Sequence, residues 1–466
     1  MTVPARTASA RTGPARTGPG SIIRCAGCGY VPGPGDLPFR CPRAGTDDTD
    51  HVLTRVLGPG ASFPVGDEAN PFLRYRALMH SHHAARARGM SDAAYRDLVT
   101  SLDTSVARVD GHGFRVTPFS RSRELSDALG FAGDGGVWVK DETGNVAGSH
   151  KGRHLMGVLI YLAVMEAVGP VGPESPPGFR ARPSLAIASC GNAALAAAVL
   201  ARAGGWPLTV LVPPGADPGI VGRLRELDAT VVACPRADGV SGDPAYHALL
   251  RELRSGALPF TTQGPENGLV IEGGQTLGYE LVTDLDGGLD HLVVQVGGGA
   301  LASSCVQALR EATQMDALDR MPRIHTVQTT GAHPLELAYK RVRAKLSAAP
   351  EPDEIGEVMT YAAEHRSAFM RPWDGEPRSV ATGILDDETY DWRAVVDGML
   401  LTGGRPLVVS EDGLVEANRL ASARTGIPVD PTGSSGLAGL AELRRQGEIG
   451  DHDRVAVLFT GLRRQI

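Results

Sequence analysis

The chain has 466 residues, 42% of them hydrophobic and 21% charged, a balance that suits a globular protein with room for two or three packed domains. A net charge of -7, with no basic stripe interleaved with aromatics, argues against a nucleic-acid partner. The longest apolar stretch, Leu155 to Val168, is broken by Glu166 and falls short of the roughly 20 residues that span a bilayer, so it reads as a buried helix and no membrane partner is expected. Positive charge is written almost wholly as arginine, and only four lysines occur: Lys140, Lys151, Lys340 and Lys345. Where charge alone matters arginine serves, so a retained lysine points to chemistry a guanidinium cannot do. Its amine can lose a proton and attack a carbonyl to form a Schiff base. Lys151, in Ser149-His150-Lys151-Gly152-Arg153 just after the strand-like run Val137 to Lys140, is the first candidate.

In chain order, residues 1–20 are rich in Arg, Thr, Ala, Pro and Gly without an apolar core, which predicts a disordered tail and no secretory signal. A cytoplasmic location is therefore expected, where the six cysteines stay reduced. Residues 21–55 form a separate small unit. Its Cys25-Ala26-Gly27-Cys28, followed by Cys41, resembles a degenerate zinc ribbon whose second knuckle, Cys41-Pro42-Arg43-Ala44, lacks the fourth thiolate. Zinc on Cys25, Cys28 and Cys41 is one expectation and a metal-free remnant the other. His51 or Asp47 would complete a tetrahedron, and the spacing favours neither.

Residues 68 to 130 carry a helical pattern around Pro71–Tyr75 and Ser91–Leu102. His80, His82 and His83 lie there in an Ala/Arg-rich stretch and are expected to be solvated surface without a metal. Residues 184–263 alternate strand and helix through Leu185–Ala188, Asn192–Ala203, Leu208–Val212, Gly219–Leu227, Thr230–Ala233, Asp243–Arg254 and Phe260–Thr262. A second run follows with helix Thr276–Leu285, strand Leu292–Val296, helix Leu301–Ala312 and strand Ile324–Gln328. It resumes at Leu407–Val409, helices Asp412–Thr425 and Ser435–Gly447, and strand Val455–Phe459. Residues 340–395, rich in Pro, Asp and Glu, read as an insertion. The predicted class is α/β, with two open parallel-sheet domains facing each other across a cleft. The large domain takes residues 56–183 and 264–466, the small one 184–263.

Three strand-to-helix junctions carry the chemistry: Asp141 to Lys151, Ser189-Cys190-Gly191-Asn192, and Gly297-Gly298-Gly299-Ala300-Leu301. Glycines there let the backbone turn so that N–H groups at a helix start point at an anion, a phosphate for the Gly297 turn and a carboxylate for the Ser189 loop. No G-x-G-x-x-G follows a strand, so a dinucleotide site is not supported.

In this order the junctions resemble the fold-type II pyridoxal-phosphate enzymes, the tryptophan synthase β superfamily. The pattern K-x-E…S-x-K-x-R is met by Lys140, Glu142, Ser149, Lys151 and Arg153. Glu272-Gly273 to Glu280 and Pro431-Thr432-Gly433 to Ala438 extend the likeness, which runs from about residue 115 to the C-terminus with a break at 340–380. Within that superfamily the N-terminal CxxC unit and the ending Phe459-Thr460-Gly461 are most similar to the threonine synthases.

The resemblance implies pyridoxal 5′-phosphate in the cleft, held covalently by Lys151, with its phosphate on Gly297, Gly298, Gly299, Ala300 and Leu301. It places Asn192 at the phenolic oxygen, Thr460 at the pyridine nitrogen and His150 beside the ring. Ser149, Arg153, Ser189, Cys190, Gly191 and Asn192 would face the substrate. A small amino-acid substrate, a homodimer, and conversion of O-phosphohomoserine to threonine are implied. The alternatives are a serine or threonine ammonia-lyase, a β-replacement synthase, or a non-catalytic regulatory or assembly subunit. His150 replaces the aromatic usual in threonine synthases, and Cys190 a small Ser or Ala; both fall beside the substrate.

Overall fold

The structure is a computed structural model that describes residues 20–33, 35–169, 182–236, 242–284 and 287–464. Of the expected tail, residues 1–20, all but Gly20 lie outside the described residues. Runs such as His291–Gln295 and Val455–Phe459 are apolar or buried at every position, so they form strands covered on both faces.

Strands β1 (Ser21–Cys25) and β2 (Leu53–Leu57) pair antiparallel as a two-stranded ribbon. The larger sheet contains β3 (Phe119–Ser122), β4 (Gly136–Asp141), β9 (His291–Gln295), β10 (Arg323–Thr329), β11 (Pro406–Val409) and β12 (Arg454–Phe459). The smaller contains β5 (Leu185–Ala188), β6 (Leu208–Val212), β7 (Thr230–Ala233) and β8 (Leu258–Pro259). The larger sheet runs β11-β10-β9-β12-β4-β3, with only β3 antiparallel, and the smaller runs β7-β6-β5-β8, all parallel. β8 sits two residues earlier than the expected Phe260–Thr262. Proline is tolerated at this edge because the ladder bonds come from the Leu258 and Phe260 N–H groups on either side of it.

Lys151–Val168 is a helix buried almost all round, as its apolar run requires, and no described helix is long and apolar enough to cross a membrane. It packs on the helix Val270–Thr283, which starts six residues before the expected Thr276; the expected end, Leu285, lies outside the described residues. Gly273 and Gly274, which precede the expected start at Thr276, lie within the helix, and they are glycine because neighbouring groups pass too close for a side chain. A Cβ on Gly273 would lie 2.1 Å from the Arg153 carbonyl oxygen, and one on Gly157 would lie 2.9 Å from the Gly273 Cα.

Residues 340–395, expected as an insertion, contain helical segments. They carry the helices Pro352–Glu364 and Arg366–Phe369 and lead into Trp392–Thr402. His80, His82 and His83 also differ from expectation, since none is fully exposed. His80 Nδ1 lies 2.9 Å from the Ser21 hydroxyl and His82 Nε2 3.0 Å from Asp92, and burial lowers all three pKa values. The helix that bears them packs against β1 and the Lys151 helix, which the local Ala/Arg composition does not reveal.

Candidate active site

Lys151 opens its helix from the turn after β4. Its Nζ donates to Thr262 Oγ1 at 3.3 Å, and burial lowers its pKa, an effect that Asp386 and Asp391 oppose. Ser149, just before it, is fully buried in extended backbone, and its hydroxyl has no partner among the described residues. His150 is buried beside it. Its backbone N–H and Nδ1 both meet the Thr460 carbonyl, at 3.1 and 3.2 Å, and burial followed by the Lys151 charge holds its ring neutral, with a pKa far below the usual value.

Thr460 follows β12 and is buried, and its hydroxyl accepts from Gln295 Nε2 at 2.7 Å. Gln295 ends β9, and nothing in the sequence around it marks it as part of a site. With the oxygen of Thr460 accepting, its own hydrogen remains available to donate to an acceptor.

Gly297 and Gly298 join β9 to the helix Ala300–Gln314, and Gly299, at φ +97°, turns the chain into it. Ala300 and Leu301, the first helical residues, are buried. Side chains are excluded here because residues 384–391 pack on the turn. A Cβ on Gly297 would lie 2.3 Å from Asp386 Oδ2, and one on Gly298 would lie 2.9 Å from the Tyr390 ring. The Gly298 N–H is close to the Asp386 carboxylate, whose pKa burial raises to about 6 against the pull of Lys151 and that N–H. Asp391 is pushed up to about 8, by burial and then by Asp50, while the Gly264 N–H opposes the rise. Thr389 Oγ1 donates to the Gly297 carbonyl and the Asp391 N–H to the Gly298 carbonyl, both at 3.0 Å.

The Ser189–Asn192 loop ends β5 and opens the helix Asn192–Gly204, with Cys190 exposed. The Asn192 amide lies between Arg464, which donates to its oxygen, and the Asp430 carboxylate. Arg464 also donates to the Ala147 carbonyl, so the arginine-rich ending reaches the site that it only borders in sequence.

Arg153 is the correction. Expected to face the substrate, it is fully buried in an ion network behind Lys151. Its guanidinium meets Glu142 at 2.8 and 2.9 Å and Glu280 at 2.6 and 2.9 Å, and Lys140 Nζ meets Glu280 at 2.6 Å. Two residues apart on a helix, side chains point to different faces, and here Arg153 turns toward β4 and the Val270–Thr283 helix while Lys151 does not.

These residues fit pyridoxal phosphate. The Gly298 N–H already favours the charged form of the nearby Asp386 carboxylate, so the turn suits an oxyanion, and a phosphate there would compete with Asp386 for that N–H. The amine, the hydroxyl donor and the orphaned Ser149 hydroxyl supply the remaining polar groups.

In the N-terminal unit, Cys25, Cys28, Cys41 and His51 gather with all their ligand atoms within 4.8 Å of one another. The fourth position that the spacing left open is filled by His51, and Asp47 instead meets the far nitrogen of that ring, at 3.0 Å.

The family model for pyridoxal-phosphate dependent enzymes matches residues 112–461. The threonine synthase of Methanocaldococcus jannaschii is 25% identical over 346 residues, 74% of each chain. That of Mycobacterium tuberculosis is 25% identical over 371 residues, 79% of this chain and 86% of the relative. Among solved structures, a threonine deaminase from T.th. superposes with a TM-score of 0.55 at 22% identity, covering 79% of this chain and 98% of its own. Maize serine racemase does so with 0.55 at 18%, covering 79% and 94%. At those identities the structural likeness speaks for the fold.

Proposed function

The chain belongs to the family of pyridoxal-phosphate dependent enzymes, and on that premise we propose that it carries out elimination and replacement on an amino acid in the manner of threonine synthase, from O-phosphohomoserine to threonine. The observation that carries the reading is a burial-weakened lysine beside an oxyanion-binding glycine turn, in a chain whose relatives include threonine synthases. The same reading places zinc on Cys25, Cys28 and Cys41 of the N-terminal unit.

Bound pyridoxal phosphate supplies a conjugated ring that accepts electron density from the substrate Cα. Lys151 would hold it, and the Lys151 Nζ would also be the base placed to take a proton from the substrate Cα. The lowered pKa of Lys151 suits that task, because a base works best when it is unprotonated near the working pH. Gly297 to Leu301 would hold the phosphate through backbone N–H groups. The N–H groups at the start of the Asn192–Gly204 helix, with Ser189, Cys190 and Gly191, would orient the substrate carboxylate, and Ser149 would stand beside them. Asn192 would turn from Arg464 toward the phenolic oxygen, and His150 would hold the Thr460 turn beside the ring. Thr460 would donate to the ring nitrogen and cannot protonate it as an acid would. Electron withdrawal is then moderate, which favours prompt loss of a leaving group.

A second reading is favoured by the acids around the site. Asp243, Asp386 and Asp387 interact with one another, and Asp243 and Asp386 with Cys190, so this face repels a second phosphate. A hydroxy amino acid with an uncharged side chain, which loses water and then takes one up again as it releases ammonia, meets no such repulsion. The test is to load the protein with pyridoxal phosphate and offer O-phosphohomoserine, serine, threonine and O-acetylserine in turn. Release of phosphate with formation of threonine supports the main reading, and ammonia and an oxoacid from serine or threonine support the second. A protein that takes up no cofactor and gains no borohydride-sensitive colour sinks both.

A further inference from the structure

The N-terminal cluster has a geometry that hydrogen bonding among thiols does not explain. His51 Nδ1 lies 3.5 Å from both Cys25 Sγ and Cys41 Sγ, and Cys28 Sγ lies 3.8 Å from Cys41 Sγ. One ring nitrogen offers a single lone pair or a single hydrogen, so it cannot satisfy two sulfurs at once. A tetrahedral zinc, with bonds of about 2.3 Å to sulfur and about 2.0 Å to nitrogen, sets sulfur pairs about 3.8 Å apart and sulfur–nitrogen pairs about 3.5 Å apart. The three separations above match edges of that tetrahedron.

The imidazole is also prepared as a ligand. Its Nε2 faces Asp47 Oδ1 at 3.0 Å, which fixes the hydrogen on Nε2 and leaves the Nδ1 lone pair facing the sulfurs. The turns after Cys25 and Cys41 are closed by the Gly29 N–H on the Cys25 carbonyl and the Ala44 N–H on the Cys41 carbonyl, so each thiol leaves a tight knuckle. Cys25, Cys41 and His51 are buried, leaving no open position for a substrate.

The strand of chain beside these ligands holds the segment that covers the glycine turn. The Asp50 N–H donates to the Ala363 carbonyl at 2.7 Å, and the Asp48 carbonyl accepts from the Arg366 N–H at 2.9 Å. Buried Asp50 Oδ1 receives Arg366 Nε at 3.2 Å and Trp392 Nε1 at 3.3 Å, while Arg393 donates to the Ala26 carbonyl, inside the first knuckle, at 2.6 Å. Trp392 directly follows Asp391, whose N–H is bound to Gly298.

We propose that Cys25, Cys28, Cys41 and His51 bind one zinc ion as a closed structural site, with Asp47 orienting His51, and that this metal fixes residues 386–393 over the glycine turn. The ligand set rests on the reading of zinc in the N-terminal unit, and the clamp is a separate consequence that needs no catalysis.

Zinc is measured by elemental analysis of the full-length protein purified under reducing conditions, and the ligands are probed with cobalt(II). One zinc per chain is expected, with cobalt bands of a tetrahedral three-sulfur, one-nitrogen site. His51→Ala should lose the metal and His51→Cys recover it, since a thiolate fits the same corner. Asp47→Asn should keep the stoichiometry while weakening affinity about 10- to 100-fold. Protein that takes up no zinc overturns the site, and His51→Ala that holds zinc as tightly as the parent overturns the fourth ligand. For the clamp, hydrogen exchange is compared before and after chelation. Residues 363–367 and 386–393 should exchange faster while β9 and β12 keep their protection, and unchanged exchange at 386–393 overturns the clamp alone.

Discussion

Two lysines stand eleven residues apart in this chain, and their surroundings are opposites. Lys140 is fully buried and satisfied, with the Thr117 carbonyl at 2.7 Å and Glu280 at 2.6 Å, inside a network that Arg153 and Glu142 complete. Lys151 has a hydroxyl at 3.3 Å and, among the described residues, no carboxylate at ion-pair distance. The first cluster pairs every charge and so locks β4 to the helices behind it. The second holds an amine and two carboxyls, Asp386 and Asp391, that burial pushes toward their neutral forms. A fully paired buried charge gives rigidity, and an underpaired one gives reactivity.

Mutations break the comparison most sharply at its two poles. Lys151→Ala should abolish the borohydride-sensitive colour and lower turnover by about 1,000-fold or more, while the melting temperature holds. The same change at Lys340 or Lys345, which are exposed or surface-packed, should leave the colour intact. Arg153→Met should do the reverse of Lys151→Ala. By leaving Glu142 without its cation and Glu280 with Lys140 alone it should cost about 3–5 kcal/mol in denaturant unfolding, an effect independent of cofactor.

Asp386→Asn sharpens the picture on the reactive side. It removes the negative charge that competes for the Gly298 N–H, so uptake of pyridoxal phosphate, followed by absorbance titration, should tighten about tenfold, or about 1.4 kcal/mol. Asp386→Glu should not tighten it.

The smallest expected effect is in pH dependence, and the two clusters have opposite signs. Burial alone would raise Glu142, but Arg153 outweighs it and holds the carboxyl at about 2, so its stabilisation is present above its ordinary range near pH 4.5 and is lost as pH falls toward 2. Asp391, raised to about 8, keeps a proton that the unfolded chain has released above about pH 4. Its contribution therefore declines as pH climbs from there to about 8. Asp391→Asn should flatten the decline in melting temperature between about pH 4 and about pH 8 and leave the loss toward pH 2 unchanged.

Much of this was legible in sequence because it is local. The strand-to-helix junctions at Lys151, Ser189 and Gly297 are set by short runs and glycines, and each appears where expected. The scarcity of lysine points to Lys151, but it does not separate that residue from Lys140, whose compact ammonium lies buried between Glu280 and the Phe119 ring. What escaped depends on long-range contact. Asp386 reaches Gly298 from a segment that reads as a polar insertion, and Gln295 meets Thr460 across two strands. His51 was one of two candidates, and only the fold shows that Asp47 takes its far nitrogen.

The Gln295 amide has a consequence beyond holding Thr460. Its Nε2 also points at the carbonyls of Gly433 and Leu458, at 2.8 and 3.0 Å. Flipping the amide would bring its oxygen against two carbonyl oxygens, so the group has one orientation. An amide that can only give forces the threonine to give in turn, and the polarity of the whole relay is set by two main-chain carbonyls that no side-chain substitution can remove.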